Sequence, residues 1–396
     1  MAVRYGFLST HPPTRCGLAT FNDALSTQMI ASGSGGVVRV TAAADDQRAG
    51  PGVAHTWPAE AAAGWLGAAA ALNTFDVAVV QHEFGIYPGT DGGDVLPLLR
   101  SLKVPSIVVL HTVPGRPSVG QQSLLEQIVA VAGAVVTMTS TARHRLLAGY
   151  AVDPGKVVVI PHGTTDHAGA TPTPPRRPRP HLLTWGLLGP GKGIEWALRA
   201  LAQLQNLDPA PAFTVAGRTH PKVVERDGEA YRADLHRLGA ELGIAHAVDY
   251  QPIYHDQATL GSLIRSADVV LLPYDSAEQV TSGVLIEAVS AGIPVVATAF
   301  PHAVELLSGG RGLLVPHRDP TALAIAIRRI LTDPALAARL ARPYTSALHW
   351  PAIAARYDTL AGALLANRRR IAVATPTHDA AGSTPAPVAS GASPAS

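Results

Sequence analysis

The run Tyr274-Asp-Ser-Ala-Glu-Gln-Val-Thr-Ser-Gly-Val-Leu-Ile-Glu287-Ala-Val-Ser-Ala-Gly-Ile-Pro-Val-Val-Ala297 decides how this chain is read. Val269 to Leu272, just before it, has the makeup of a buried strand, and the polar residues after Tyr274 form a loop at that strand's end. Ser282-Gly283 is a turn that opens a helix, Glu287 falls about one turn into that helix, and Gly292 with Pro294 launches the next strand. A helix start leaves backbone N–H groups without partners and carries the positive end of the helix dipole, which suits a phosphate. The candidate contacts there are Ser282, Gly283 and Val284. An acid a turn further on can grip vicinal hydroxyls, so Glu287 beside that helix start describes a site for a nucleotide or a nucleotide sugar.

Outward from this unit the same alternation repeats on both sides. Candidate strands upstream are Tyr5 to Ser9, Val37 to Ala42, Val77 to His82, Ser106 to His111, Ala134 to Thr139 and Val157 to Ile160. Runs such as Val77-Ala-Val-Val80 and Ile107-Val-Val-Leu110 are apolar throughout, as a parallel sheet covered on both faces requires. Thr171-Pro-Thr-Pro-Pro-Arg-Arg-Pro-Arg-Pro180 denies regular helix and central strand. A second alternation follows, with strands Leu182 to Leu187, Phe213 to Ala216, Val248 to Gln251, Val269 to Leu272, Val295 to Thr298 and Gly312 to Val315, and with a helix over Gly228 to Leu242 among those between them. The chain is therefore expected to hold two doubly wound α/β domains, 1–163 and 181–349, joined by a proline-rich linker, 164–180. Residues 350–367 read as a further helix and 368–396 as a disordered tail rich in Ala, Pro, Ser, Thr and Gly.

Composition narrows the function classes. With 47% hydrophobic and 15% charged residues the chain reads as a well-buried globular protein, and no apolar run is long enough to span a bilayer. The formal charge is +2, which Arg368, Arg369 and Arg370 against Asp379 supply in full, so the remainder is neutral. A general nucleic-acid binder needs a basic face that this balance does not provide. The arginine cluster allows weak contact with an anionic membrane surface. A strand pattern straight from the N-terminus and a single cysteine, Cys16, fit a reducing cytoplasm.

Other strand ends carry candidate chemistry. Gly186-Leu-Leu-Gly-Pro-Gly-Lys192-Gly193 follows a strand and precedes a helix, matching a phosphate-cradling P-loop as far as the lysine, with Gly193 where a magnesium-holding Ser or Thr would stand. Ser9-Thr-His-Pro-Pro-Thr-Arg-Cys16-Gly-Leu-Ala-Thr-Phe21 joins the first strand to the first helix, and Gly17 and Leu18 can offer backbone N–H groups there. His111 ends the fourth strand, where an imidazole can hydrogen-bond a substrate hydroxyl. His82 and Glu83, in Gln81-His-Glu-Phe-Gly-Ile-Tyr87, end the preceding strand and are expected to face the same crevice as His111, on the side where a second, accepting substrate would sit. His82 and Glu83 form no helical zinc motif and no Cys cluster exists, so no metal centre is expected.

Tyr274 to Ala297 resembles the nucleotide-sugar-dependent glycosyltransferases of family 4, whose signature is two acids separated by seven residues ahead of Ala-x-x-x-Gly-x-Pro-Val. Glu287 stands at the second acid, followed by Ala288, Gly292, Pro294 and Val295, while Gln279, with Glu278 beside it, stands at the first. A glutamine there still bonds a sugar hydroxyl but brings no charge. The resemblance implies a retaining GT-B glycosyltransferase that moves a hexose, mannose slightly ahead of glucose, to a hydroxyl acceptor without a metal or other cofactor. It implies that Lys192, after the glycine-led strand end at Gly186, meets the donor diphosphate. The family's arginine directly after that glycine is replaced by Leu187, and Arg218 is the candidate to supply its charge. It also implies that Gly17 and Leu18 lie under the donor phosphate, that His111 lies near the transferred sugar, that Glu287 fixes the ribose, and that the leaving phosphate oxygen takes the acceptor proton.

Other classes stay open at this point. A P-loop-like phosphohydrolase would need magnesium and would hydrolyse ATP. A silent sugar-nucleotide-binding protein would bind nucleotide and release none from the donor, and a GT-B epimerase would turn over without acceptor.

Overall fold

The computed structural model describes residues 2–31, 34–42, 50, 52–61, 63–166, 178–342 and 346–374. The first sheet is built from β1 (Tyr5–Ser9), β2 (Gly35–Thr41), β3 (Val53–Pro58), β4 (Val77–His82), β5 (Ser106–Leu110), β6 (Ala134–Thr137) and β7 (Val157–Val159). Its seven strands run parallel in the order β3-β2-β1-β4-β5-β6-β7. The second sheet holds β8 (His181–Trp185), β9 (Ala212–Ala216), β10 (Val248–Gln251), β11 (Val269–Leu272), β12 (Val295–Thr298) and β13 (Leu313–Val315). Its six strands are also parallel, in the order β10-β9-β8-β11-β12-β13.

Both orders reverse direction once, between β1 and β4 and between β8 and β11. At such a point the connections leave to opposite faces and open a crevice at the carboxyl ends of the strands, where ligands of doubly wound sheets bind. The segments after β1, β4, β8 and β11 leave their sheets beside these two points, while His111 follows β5 and Arg218 follows β9, each one strand further out. The period-2 strand geometry splits each core in two. Leu8, Val80 and Val108 pack on one face of the first sheet, and Phe7, Val79, Ile107 and Val109 on the other. In the second sheet Leu182, Val269 and Leu271 oppose Leu183, Val270 and Leu272.

The long helix Trp350–Ala374 returns to the first sheet: Trp350, Ile353, Ala354, Tyr357 and Ala361, spaced three or four apart, bury one stripe against the Phe7 face. Its start is locked to the end of the first domain. Thr164, fully buried, pairs with His349, and a Cβ on Gly163 would lie 2.2 Å from the Trp350 ring.

Four sequence expectations are corrected. The helix expected to end at Asn367 runs to Ala374, because Arg368 to Arg370 and the alanines after them are good helix formers and extend a helix already nucleated. The helix expected over Gly228 to Leu242 is instead Pro221–Asp227 and then Ala230–Glu241; Gly228, at φ +61°, breaks it. The strand expected from Val37 begins at Gly35, and the edge strand β3 was not expected, its short run being half exposed and closed by Pro58. The core of the expected linker, residues 167–177, and the end of the expected tail, 375–396, lie outside the described residues.

Candidate active site between the two sheets

The second sheet contributes two loops. After β8 the chain turns through Gly186, Gly191 and Gly193, at φ +123°, +89° and +65°. A Cβ on Gly193 would sit 1.8 Å from the Pro273 carbonyl oxygen, so the backbones approach too closely for any side chain. This turn projects Lys192, whose Nζ lies 4.6 Å from the centroid of the buried Tyr274 ring, itself stacked on Phe300. Burial pushes the ammonium's pKa down, and no carboxylate pairs with it among the described residues. It is a cation held partly out of water with no carboxylate beside it among the described residues.

The helix Gly283–Ser290 starts opposite this turn. A Cβ on Gly186 would lie 3.8 Å from Val284 Cγ2, so the strand-end glycine and the helix start face each other. Ser282 caps the helix, its Oγ accepting from Leu285 N at 3.2 Å. The N–H groups of Gly283 and Val284 have no acceptor among the described residues. Glu287, half-buried one turn in, lies close enough to His162 to favour that ring's charged form, although burial dominates and lowers the His162 pKa. Gln279 donates from Nε2 to Thr281 O at 3.1 Å, and its Oε1 has no partner among the described residues. Glu278 turns away to the first domain, accepting from Gly115 N at 2.8 Å and Arg145 Nη1 at 2.9 Å. Arg218 stands exposed just past β9 with no side-chain partner among the described residues, and its carbonyl accepts from Leu188 N, tying the two strand-end loops together.

From the first sheet, Cys16 caps the helix Gly17–Ile30, its Sγ accepting from Ala19 N at 3.4 Å, which explains the cysteine as a helix cap. The N–H groups of Gly17 and Leu18 have no acceptor among the described residues, and nothing lies within 4 Å of a Cβ built on Gly17. His111 Nε2 meets Gln81 Oε1 at 2.9 Å, and its ring stands edge-on to Phe21 at 4.8 Å. Burial, with His162 and His82 nearby, pushes its pKa down to about 3, so the imidazole is neutral. Phe21 also packs edge-on to His162 at 4.9 Å, and a Cβ on Gly283 would lie 3.1 Å from His162 Nε2. The first helix, His111, His162 and the second domain's helix start are therefore neighbours.

His82 does not fit the acceptor-side role expected from sequence. Its ring is fully enclosed, neither nitrogen has a partner among the described residues, and burial pushes its pKa down to about 4. The alternation along β4 turns it into the interior while Gln81 points the other way. Glu83 is largely committed too: it accepts from Thr112 Oγ1 at 2.5 Å and Phe84 N at 3.0 Å, joining the ends of β4 and β5, and burial raises its carboxyl pKa.

Several contacts close the cleft. Thr20 Oγ1 meets Tyr254 Oη at 2.8 Å, Thr139 Oγ1 donates to Val280 O at 3.0 Å, and the Glu305 carboxylate accepts from Ser140 N and Thr141 N at 2.8 Å each. Sequence reasoning missed Arg145, Glu305 and His302, whose partners are far away along the chain. His162, in Pro161-His-Gly163 at the end of the first domain, reads from sequence as a mainly structural residue, yet the fold brings it beside the second domain's helix start. Among the described residues no group of three or more His, Cys, Asp or Glu side chains could hold a metal ion.

Comparison with known proteins agrees with this geometry. Residues 179–333 match the family model for glycosyl transferases group 1. A D-inositol 3-phosphate glycosyltransferase from Frankia alni is 30% identical over 303 residues, 68% of this chain and 73% of that protein. The chain belongs to the group 1 glycosyltransferases. Another D-inositol 3-phosphate glycosyltransferase, from Streptomyces avermitilis, is 31% identical over 266 residues, covering 62% of this chain and 55% of its own length. The chain thus spans about half the length of the first curated relatives it matches. Among solved structures, the sucrose-phosphate synthase of Thermosynechococcus elongatus superposes with a TM-score of 0.72 at 20% identity, over 94% of this chain and 100% of that one. Anabaena HepE in complex with UDP-glucose superposes with a TM-score of 0.65 at 16% identity, over 93% and 100%. These likenesses establish the GT-B fold: two doubly wound α/β domains facing across a cleft.

Proposed function

We propose that the chain transfers a hexose from a nucleoside diphosphate sugar to a hydroxyl acceptor, with retention at the anomeric carbon and without a metal. One observation carries the reading: unpaired Lys192, the free N–H groups of Gly283 and Val284, and Glu287 converge at the switch point of the second sheet. That set suits a diphosphate next to a ribose. As the bond from the anomeric carbon to phosphate oxygen breaks, the diphosphate gains charge, and Lys192 with these amides stabilises it; the Gly17 and Leu18 amides complete the cradle from the other domain. Arg218, exposed and with no side-chain partner among the described residues, is the candidate for a second cation.

The acceptor oxygen bonds to the anomeric carbon on the face the diphosphate leaves, and the hydroxyl proton passes to the departing phosphate oxygen. Engagement of Glu83, Glu278 and Glu305 in other hydrogen bonds supports that assignment of the base. Neutral His111 positions the sugar by hydrogen bonding, and Gln279 Oε1 meets a sugar hydroxyl. The P-loop alternative loses ground, because Gly193 has no room for the hydroxyl side chain that would hold magnesium. The mannose lean from sequence stands beside the UDP-glucose bound by a solved neighbour, so both donors belong in the test. Purified protein given UDP-glucose or GDP-mannose with inositol phosphates, the class named for its curated relatives, should release nucleoside diphosphate only with its matching pair. Release from neither donor with any acceptor, together with ATP hydrolysis, would overturn the reading.

A further inference from the structure

The loop Gln279 to Ser282 carries the sugar-facing glutamine at one end and the helix cap at the other, yet contains no glycine or proline to set its shape. Its middle is tied to the first domain: Val280 is buried in that domain's core, and its carbonyl accepts from Thr139 Oγ1. Both ends are tied to one residue of the second domain. The backbone N–H of Ser282 donates to His302 Nδ1 at 2.8 Å, and the backbone N–H of His302 donates to the Gln279 carbonyl at 3.3 Å. His302 is 3% exposed and Ser282 4%, so neither group has water as an alternative partner.

We propose that His302 is a positioning residue of the donor site, its Nδ1 holding the Ser282 amide so that Gln279 and the free amides of Gly283 and Val284 face the ligand together. The inference rests on reading this cleft as a nucleotide-sugar site. The role requires an unprotonated Nδ1. Burial, with His162 close by and Glu305 opposing, pushes the ring's pKa down to about 4 and so keeps it neutral. The ring thus acts as an acceptor of fixed position and touches no reacting atom itself.

Two substitutions separate this role from mere packing. Asn places its Oδ1 where Nδ1 stands, whereas Gln keeps size and polarity but reaches the Nε2 position. Calorimetry with UDP and GDP, and hydrogen exchange across residues 279–284, would be read on full-length wild type, His302→Asn and His302→Gln. The expected result is His302→Asn within about threefold of wild-type affinity, and His302→Gln weakened by about tenfold or more with faster exchange confined to the loop, the scale of one lost hydrogen bond. Equal affinity and equal loop protection in the two folded variants would overturn the proposal while leaving the donor site standing. If one variant fails to fold, the other decides: His302→Asn with an unprotected loop, or His302→Gln with a protected one, is the contrary result. Wild type that binds neither diphosphate would overturn the nucleotide-sugar reading itself, and this inference with it.

Discussion

The two loops that reach the cleft from the second sheet obtain their shapes by different means. The turn from Gly186 to Gly193 is set first by its own glycines at positive φ, one pressed against the Pro273 carbonyl, and backbone bonds from Leu188 to Arg218 and from Asp275 to Gly191 hold the path that projects Lys192. The loop from Asp275 to Ser282 contains no glycine and takes its shape from Gly115, Thr139, Arg145 and His302, all remote in sequence. The first kind of loop is written where it stands, and the second exists only once both domains and the helix after β12 have assembled. Substitutions should therefore act on backbone strain in the first loop and on long-range support in the second.

The largest effect expected is acid lability, which falls on the second loop and on the first domain. His82 and His302 are held near pKa 4 and His111 near 3 by burial, against 6.5 when unfolded. Folded-state pKa values below the unfolded one mean that the unfolded chain binds more protons. Stability should therefore be full above about pH 6.5 and fall as pH drops toward 4, by up to about 1.4 kcal/mol per pH unit for each ring. Urea midpoints measured from pH 7 to 5 check this, and a flat profile would break the claim that these rings are enclosed and neutral. Next comes Gly193→Ala, which places a Cβ on the Pro273 carbonyl in a left-handed conformation. A loss of about 3 kcal/mol or more is expected in the same denaturation experiment, and a loss below about 1 kcal/mol would mean the turn is not self-determined.

If, as proposed, Lys192 meets the charge that grows as the sugar–phosphate bond breaks, Lys192→Ala should leave the fold intact and lower turnover about a hundredfold or more. Retention of near-full transfer by the folded variant would remove Lys192 from the site. The smallest effect belongs to Glu278→Ala. Its carboxylate is 54% exposed where it pairs with Arg145, so stability should change by less than about 1 kcal/mol. A much larger loss would show that the domain-bridging ion pair, and not the buried Val280 contact, holds the second loop.

The same local-versus-remote distinction explains what could be read from sequence. Fully buried parallel strands announce themselves as unbroken apolar runs, which is why β4, β5 and β11 were legible and the half-exposed edge strand β3 was not. The Gly186 to Lys192 turn and Glu287 on its helix were visible because a helix start and a glycine turn have local spelling. His82 misled because strand-end placement names a position and leaves its facing undecided. His302 offered no signal, since its function lies in a hydrogen bond to Ser282, twenty residues upstream.

The central claim is that Glu287 and the amides around it form a nucleoside diphosphate site. Calorimetric titration of wild type and Glu287→Ala with UDP, GDP and ADP tests it most directly. One diphosphate should bind wild type, and the variant should bind it about ten- to a hundredfold more weakly, the loss of roughly 1.5 to 3 kcal/mol from charge-assisted bonds to the ribose. Equal affinity in the folded variant, or no binding of any diphosphate to wild type, would contradict the account.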